Sequence, residues 1–495
     1  MEDAPARGRR RHGPTHLALL LLMAGAWLRW RTLLLDQRLT PDEAFFSTFA
    51  RAAAVKGDWW LNGPLDKPPL ALYANALAQV ALGPSELAAR IPNALAGILL
   101  LPLIYALTRD LYRNQSSRLP HLALLLAACS PFLVASSANA LTDGLTLTAL
   151  AAGFWLALRQ RPGWSGFLLG LALAAKHQAL LALPLLLWAA CRCAPSSWPV
   201  VRRLGLSLMP CIVLLLLWDA ARPGIGVHTL AIGNNDPGGL ATIADLPGRL
   251  ATWTAHAAQL FWPGWPGALL LLMIALPLLR VARAATPRSM RQQDCALALF
   301  AGAYSLLHVL PAIPLYGRYL LLAVPALFPL GARGLHICLS RIESVVILPG
   351  RSLRLLLLPI LAALLLLQPL PGPDPHAGID ELGAWMAAKP VATVVYDRWL
   401  GWQLGYYLGV WHDKRLTWYP DPEPLARDAL RLCEFGPRYF PAPADQDMKP
   451  WLRPLQEAGF AVNLAWQQDG YVAWQLDPPW GEETGCPRPN QAPPD

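Results

Sequence analysis

Long apolar stretches alternate with short polar ones along most of this chain. Runs such as "HLALLLLMAGAWL", "LAGILLLPLIYALT" and "LRLLLLPILAALLLLQPL" approach the roughly 20 apolar residues that a helix needs to cross a bilayer. The pattern predicts about eleven such helices, near 16–35, 86–107, 119–138, 142–158, 164–176, 178–191, 204–220, 264–282, 295–311, 318–335 and 353–370.

Composition agrees with a polytopic membrane protein. Of the 495 residues, 55% are hydrophobic and 15% are charged, whereas a soluble protein carries about 25% charged residues. The net charge of +9 is unevenly placed, because residues 371–495 hold 10 Lys and Arg against 17 Asp and Glu. The basic excess therefore lies in the first 370 residues, much of it as arginine in short loops. Such arginine sets topology, so it is interpreted as neither a partner-binding nor a nucleic-acid signal.

The arginine-bearing loops predict the orientation. "RGRRRH" at the N-terminus is cytoplasmic, and even-numbered crossings return to arginine-rich segments such as "TRDLYRNQSSR" and "RVARAATPRSMR". With an odd number of crossings, the region after residue 370 lies outside the cytoplasm. The sequence thus predicts a multi-pass protein of the inner or plasma membrane.

The sequence divides into two predicted domains. Residues 1–370 form a transmembrane domain, with long outer loops at 36–85 and 221–262. Residues 371–495 open with the linker "QPLPGPDPHAG" and contain a strand in "VATVVYD", a helix in "RWLGWQLGYYLG" and a strand in "DGYVAWQLDPPW". They predict a small, soluble α+β extracytoplasmic domain. Cys433 and Cys486 could pair there if it faces an oxidising compartment.

Polar residues gather at the predicted outer ends of helices. "TPDEAFF" places Asp42 and Glu43 after a proline, where an amphipathic helix "DEAFFSTFARAAAVKGDWW" can begin along the interface. Carboxylates in a first helical turn are favoured by the helix dipole, which is one explanation of the pair. The other positions are Asp66 and Lys67 in "GPLDKPPL", Asn139 and Asp143 on one helix face in "NALTDGL", Lys176 and His177 in "LAAKHQALL", and Arg318 and Tyr319 in "LYGRYLLL".

Each of these residues also has a structural explanation. A lysine near a helix end can extend to the interface, and tyrosine is common in the aromatic belt. Ionisable groups are nevertheless costly in membrane proteins and tend to mark substrate sites. Scattered histidines such as His228 and His256 show no spacing typical of a metal site.

The chemistry that fits is transfer from a lipid-phosphate donor. A carboxylate in a partly desolvated cleft can accept the proton of an attacking hydroxyl or amine. Fixed cations can hold the phosphate and stabilise it as it leaves. The lipid tail would lie between helices, which places such a site at the membrane surface.

At these motifs the chain resembles the GT-C membrane glycosyltransferases that use polyprenyl-phosphate sugars. It is similar to the bacterial protein O-mannosyltransferase group, which includes the aminoarabinose transferase of lipid A, in "PDEAFF", "DKPPL", "LTDGL", "GRYLLLAVPAL" and "VVYDRWLGWQLGYYLG". The resemblance implies that Asp42 is the general base and Glu43 its supporting partner. It also implies that Lys67 and Arg318 contact the donor phosphate, and that Asp143 shapes the acceptor cleft.

Two features depart from the family pattern. "AAKHQALLALP" lacks the frequent lysine-glycine-proline sequence, which leaves the role of Lys176 open, and the tail is much shorter than that of the mannosyltransferases. The preferred hypothesis is an inverting glycosyltransferase that acts on an extracytoplasmic protein, glycan or lipid. It requires a lipid-linked sugar donor, and its need for a divalent metal is open. A transporter or lipid flippase is the main alternative, and an assembly factor is another.

Overall fold

The structure, a computed structural model, describes residues 16–113, 115–281, 287–345, 363, 367–369, 372–431 and 437–479. The chain divides into two compact units. The first comprises Met1–Leu34, Asn62–Ala71 and Arg90–Leu370, and the second comprises Leu35–Leu61, Leu72–Ala89 and Pro371–Asp495. The domain boundary predicted at residue 370 stays a prediction.

The described chain up to residue 345 is helical. Its α-helices are α1 His16–Leu33, α2 Pro41–Lys56, α3 Leu70–Leu82, α4 Glu86–Leu111, α5 Leu119–Cys129, α6 Pro131–Ser137, α7 Asp143–Leu158, α8 Pro162–Ala175, α9 Leu183–Cys191, α10 Ser197–Ala221, α11 Val227–Asn234, α12 Leu246–Phe261, α13 Trp265–Val281, α14 Arg288–Val309 and α15 Val324–Val345. Two 3₁₀ segments, His177–Ala182 and Gly317–Ala323, precede α9 and α15.

Three described helical stretches are long and apolar enough to cross a membrane by length and composition. They are Glu86–Leu111, Ser197–Ala221 and Gly317–Glu343, and the number rises to five if two bent pairs each count as one span. Shorter apolar helices accompany them. These helices are consistent with a multi-pass membrane protein, while the number of crossings and the orientation stay predictions. Most of the predicted helix 353–370 lies outside the described residues.

The predicted helix 119–138 is broken in the structure. Pro131 has no N–H to donate, and α5 and α6 meet there at 60°. The guanidinium of Arg29, which is fully buried, donates to the carbonyls of Ala127 (3.1 Å) and Ala128 (3.4 Å). Arg29 therefore donates to carbonyl groups at the C-terminal end of α5, where the helix itself supplies no N–H donor.

Glycine allows helices of the first unit to approach closely. A Cβ at Gly166 in α8 would lie 2.1 Å from the carbonyl oxygen of Leu204 in α10. A side chain at this position would force α8 and α10 apart. The packing of α8 on α10 and on α7 thereby places the C-terminal end of α8, where Lys176 follows, beside the N-terminal end of α7.

The long outer loops predicted at 36–85 and 221–262 contain helices. The first holds α2 and α3, and the second holds α11 and α12. Only the amphipathic α2 was predicted, because α3 is too short to span a bilayer and α12 carries polar residues among its apolar ones. The apolar face of α2 packs in the second unit, where Phe45 lies 4.6 Å from Trp402 between ring centroids.

The described residues after 371 form an α/β arrangement in the second unit. The elements are α16 Ile379–Ala387, β1 Val394–Asp397, α17 Gly401–Leu408, β2 Arg415–Trp418, α18 Pro422–Arg431, β3 Arg438–Pro443, α19 Lys449–Glu457, β4 Ala461–Gln468 and β5 Tyr471–Asp477. The strand order is β2-β1-β3-β5-β4. The elements predicted in "VVYD", "GWQLGYYL" and "YVAWQLD" are confirmed, while Cys433 and Cys486 lie outside the described residues.

The sheet combines parallel and antiparallel pairing. Strand β1 pairs in parallel with β2 and β3, and β5 pairs antiparallel with β3 and β4. The β4–β5 hairpin turns at Asp469 and Gly470, whose φ angles are 42° and 85°. An Asp-Gly pair with positive φ is the usual chemistry of a two-residue hairpin.

Candidate active site

A buried ion pair lies at the centre of the candidate residues of the first unit. Nζ of Lys176 donates to Oδ1 of Asp143 at 2.6 Å, and the side chains are 5% and 4% exposed. Lys176 follows the last residue of α8, and Asp143 is the first residue of α7. The ammonium also lies 5.5 Å from the ring centroid of Tyr319. The structure thus brings three of the predicted residues together.

Two further cations are close to this pair. The positive charges of Arg318 and Lys67 both act on the ammonium of Lys176. The guanidinium of Arg318 lies 5.2 Å from the ring centroid of Tyr316, and Lys67 forms an ion pair with Asp66. Three cations from separate parts of the chain therefore gather in one region of the first unit, as an anionic phosphate requires.

The Asp66–Lys67 pair is tied to helix α11. Nδ2 of Asn234, the last residue of α11, donates to Oδ2 of Asp66 at 3.4 Å. Before α11, the buried guanidinium of Arg222 donates to the carbonyl of Gly63 at 3.1 Å. These contacts join the segment after α10 to the "GPLDKPPL" loop.

A pair of histidines lies next to these residues. Nε2 of His177 is 2.7 Å from Nδ1 of His228 in a ring-to-ring hydrogen bond. Nε2 of His228 is 3.9 Å from Oδ2 of Asp219, and Oδ1 of Asp219 accepts from the backbone N–H of Val227 at 2.6 Å. This contact could not be predicted from the sequence, because the two histidines are 51 residues apart and no local motif joins them.

An aromatic cluster packs against Tyr319. The hydroxyl of Tyr304 donates to the carbonyl of Tyr319 at 2.6 Å. The ring of His308 lies 4.5 Å from that of Tyr304, 5.4 Å from that of Tyr319, and stacks on Trp253 at 5.1 Å. Sequence reasoning missed this cluster, whose only signal was the i, i+4 spacing of Tyr304 and His308 in α14.

The prediction that Asn139 and Asp143 lie on one face of a helix is wrong. Asn139 lies in the bend between α6 and α7, where its Oδ1 accepts from the backbone N–H of Leu141 at 3.2 Å. Asparagine favours such local turns over a helix interior. Nδ2 of Asn93 in α4 donates to the carbonyl of Asn139 at 2.9 Å, and Asn93 also packs against Gly144. Contacts with Asn93, and not a shared helix, therefore hold Asn139 near the start of α7.

Asp42 and Glu43 lie in the second unit and differ sharply in environment. Asp42 is exposed and Glu43 is 2% exposed. Oε2 of Glu43 accepts from the backbone N–H of Thr40 at 3.0 Å, while Oγ1 of Thr40 accepts from that of Glu43 at 3.4 Å. This reciprocal capping box fixes the start of α2 and leaves Asp42 as the exposed carboxylate of the pair.

The negative charge of the buried Glu43 acts on a histidine of the second unit, His376. Burial lowers the pKa of His376, against the opposing negative charges of Asp374 and Glu43. Oδ1 of Asp374 accepts from the backbone N–H of His376 at 2.9 Å, and its Oδ2 accepts from that of Arg38 at 2.7 Å. Asp374 thereby connects the segment before α2, at Arg38, to the segment before α16, at His376.

The described residues offer no obvious metal centre. Within them, no group of three His, Cys, Asp or Glu side chains could hold a metal ion.

A family model described as dolichyl-phosphate-mannose-protein mannosyltransferase matches residues 66–218. This segment contains Asp66, Lys67, Asn139, Asp143 and Lys176 of the first unit. No curated protein matches the sequence significantly.

Solved structures match over nearly the whole chain. ArnT from Cupriavidus metallidurans bound to undecaprenyl phosphate has a TM-score of 0.63 and 16% identity, over 92% of this chain and 97% of that one. The apo oligosaccharyltransferase of Archaeoglobus fulgidus has a TM-score of 0.56 and 14% identity, over 94% and 74%. The same enzyme tethered to an acceptor peptide containing the NVT sequon has a TM-score of 0.51 and 12% identity, over 92% and 74%.

The chain has the GT-C fold. The resemblance predicted from its sequence motifs is confirmed. At these identities the solved structures establish the GT-C architecture and not the reaction of this chain.

Proposed function

We propose that this protein is an inverting glycosyltransferase of a cell membrane. It moves a sugar from a polyprenyl-phosphate donor to an acceptor outside the cytoplasm, which is a lipid, a glycan or a protein. The gathering of Lys67 and Arg318 near the buried pair of Lys176 and Asp143 carries the proposal. The family match over residues 66–218 and the undecaprenyl phosphate bound to ArnT support the choice of donor.

The cations of the first unit are assigned to the donor phosphate. The side chain of Lys67 and the residue Arg318 are partly exposed, whereas the ammonium of Lys176 is buried and bound to Asp143. We therefore assign the direct phosphate contacts to Lys67 and Arg318, and a background positive charge to Lys176. Tyr319, which packs over Lys176, completes the region, and Asp66 orients Lys67 through its ion pair.

The proton transfer is assigned to Asp42. An oxygen or nitrogen of the acceptor attacks the anomeric carbon on the side opposite the phosphate, and its proton passes to the Asp42 carboxylate. The bond from the anomeric carbon to the phosphate oxygen breaks, and the electron pair stays on the polyprenyl phosphate. Glu43 is occupied by the capping box, so it serves as a positioning residue. Asp143 and the neighbouring Asn139 are assigned to the acceptor cleft.

Replacement of Asp42 by asparagine tests the assignment. Asp42→Asn keeps the size of the side chain and removes the base, so turnover should fall by about 10²–10⁴-fold while donor binding is unchanged. Transfer is measured with the purified protein in detergent, a panel of radiolabelled sugars on short polyprenyl phosphates, and an extract of cell-envelope acceptors.

Two variants serve as controls. Asp36→Asn makes the same change at an acidic side chain that is 88% exposed and precedes α2, and it should leave turnover unchanged. Glu43→Gln keeps an acceptor for the Thr40 N–H and should cost less than Asp42→Asn. Near-normal turnover of Asp42→Asn would move the base elsewhere, with Asp143 the next candidate. Movement of labelled lipid across vesicles, without any sugar transfer, would instead favour the flippase alternative.

A further inference from the structure

A second polar cluster surrounds Asp110 near the C-terminal end of α4. Oδ1 of Asp110 lies 3.3 Å from Nε of Arg109 and 3.5 Å from a terminal nitrogen of Arg113. Oδ2 lies 3.2 Å from a terminal nitrogen of Arg159 and accepts from Nε1 of Trp155 at 3.0 Å. The Asp110 side chain is 4% exposed, whereas those of the three arginines are 44–66% exposed.

A fourth guanidinium belongs to the same cluster. Arg192, which follows α9, is close enough for the charges of Arg113 and Asp110 to act on it. Its Nε is buried, and no group in the described part of the chain accepts its hydrogen. Four positive charges therefore surround one carboxylate. The three arginines that contact Asp110 are about half exposed, so they can also bind a second anion.

The Asp110 cluster lies at the C-terminal ends of α4 and α7, whereas Asp143 of the candidate active site lies at the N-terminal end of α7. Asp143 begins α7 and Arg159 directly follows it, so the two are about 24 Å apart at 1.5 Å per residue. Asn93 and Arg109 are equally far apart along α4. Exposed tryptophans are also found near this end of the helices, since Trp164 is 63% exposed and Trp198 is 71% exposed. Exposed tryptophan is typical of the membrane–water interface.

We propose that the Asp110 cluster binds the phosphate of an anionic membrane phospholipid. Guanidinium groups are planar donors that match phosphate oxygens, and basic pockets between membrane helices hold anionic head groups. Asp110 holds Arg109, Arg113 and Arg159 in place through its ion pairs. The exposed N–H groups of these arginines remain available to the phosphate. Arginines whose position is typical of topology signals thereby form a lipid site. This proposal does not depend on the transferase reaction.

Lipid binding by the full-length protein in detergent tests the proposal. Native mass spectrometry would compare phosphatidylglycerol with phosphatidylcholine, and inorganic phosphate would be added as a competitor. Phosphatidylglycerol should bind more tightly than the zwitterionic lipid. Each basic residue near an anionic lipid contributes about 1 kcal/mol, or about fivefold in affinity, so Arg113→Gln/Arg159→Gln should weaken binding by at least about tenfold.

The control is Arg202→Gln/Arg203→Gln, which removes two exposed arginines of α10 and should leave the affinity unchanged. Arg113→Lys/Arg159→Lys keeps the charge around Asp110 and should fold normally, with an intermediate affinity. Equal loss in the cluster and control variants would overturn the proposal, as would equal binding of the two lipids. Full displacement of the lipid by millimolar inorganic phosphate would reassign the site to free phosphate.

Discussion

The buried pair of Lys176 and Asp143 leads to a quantitative prediction about stability. Replacement of Lys176 by methionine fills a similar volume but leaves the Asp143 carboxylate buried without its cation. Removal of one member of a buried ion pair costs about 3–5 kcal/mol, because the other charge is left uncompensated. Loss of the contact with the Tyr319 ring adds about 0.5–2 kcal/mol. We therefore expect Lys176→Met to lower the free energy of unfolding by at least about 3 kcal/mol.

The double variant separates the pair from the packing around it. Lys176→Met/Asp143→Leu removes both charges, and replacement of a complete buried pair by apolar residues is often close to neutral. The double variant should thus be more stable than Lys176→Met alone, with a coupling energy of at least about 2 kcal/mol. Both should lose transferase activity, because the double variant restores folding but restores neither charge.

Equilibrium unfolding of the purified protein in a denaturing-detergent titration measures these energies. Lys449→Met is the matched control, since Lys449 is exposed at the start of α19 and its loss should change stability by less than about 0.5 kcal/mol. If Lys176→Met were as stable as the wild type, or if the double variant were less stable than both single variants, the ion pair would not be what holds α7 and α8 together at this end.

Three further predictions concern the donor, the second unit and the orientation. Arg318→Lys keeps the charge but loses the planar fork, so the donor KM should rise about tenfold with the protein still folded; unchanged kinetics would remove Arg318 from the site. Burial lowers the pKa of His376, so the folded state binds fewer protons than the unfolded state and stability is lost as the pH falls below about 6.5. In His376→Gln the thermal unfolding midpoint should change less between pH 7 and pH 5 than in the wild type. The same pH dependence in both proteins would exclude His376 as the cause. Ala444→Cys should react with an impermeant thiol reagent in intact cells, and labelling only after lysis would reverse the predicted orientation.

Local signals in the sequence were sufficient for the features that depend on neighbouring residues. The order Thr-Pro-Asp-Glu at residues 40–43 contains both the proline and the capping box that begin α2. "DG" at residues 469–470 marks the turn before β5. In each case the residues that determine the conformation are within a few positions of one another, so no knowledge of the tertiary structure is needed.

Features that depend on distant residues could not be predicted in this way. An arginine in the apolar stretch of α1 gives no indication that its acceptors are the carbonyls of Ala127 and Ala128, about 100 residues later. The break between α5 and α6 was hidden because the apolar run continues across Pro131. His177 and His228 are hydrogen-bonded only because α11 folds back after Asp219. These arrangements depend on packing between helices, which a hydrophobicity pattern does not specify.

The balance of charge separates the two clusters that we propose to bind an anion from a third cluster to which no ligand is assigned. Asp294 in α14 accepts from the hydroxyl of Tyr112 at 2.7 Å and lies 3.7 Å from Nε of Arg333 in α15. This cluster is deeply buried and pairs one acid with one base, so its formal charges balance. Around Lys176 the cations outnumber the carboxylates of Asp66 and Asp143 by three to two, and around Asp110 by four to one.

In both unbalanced clusters the cations outnumber the carboxylates, so each can attract a further anion. Because both unbalanced clusters lie at helix ends, an anion from the membrane or its surface can complete each of them. The same physical reason thus assigns a lipid-linked phosphate to the region of Lys67 and Arg318, and a phospholipid phosphate to the region of Asp110. It also explains why the balanced cluster at Asp294 is assigned no ligand.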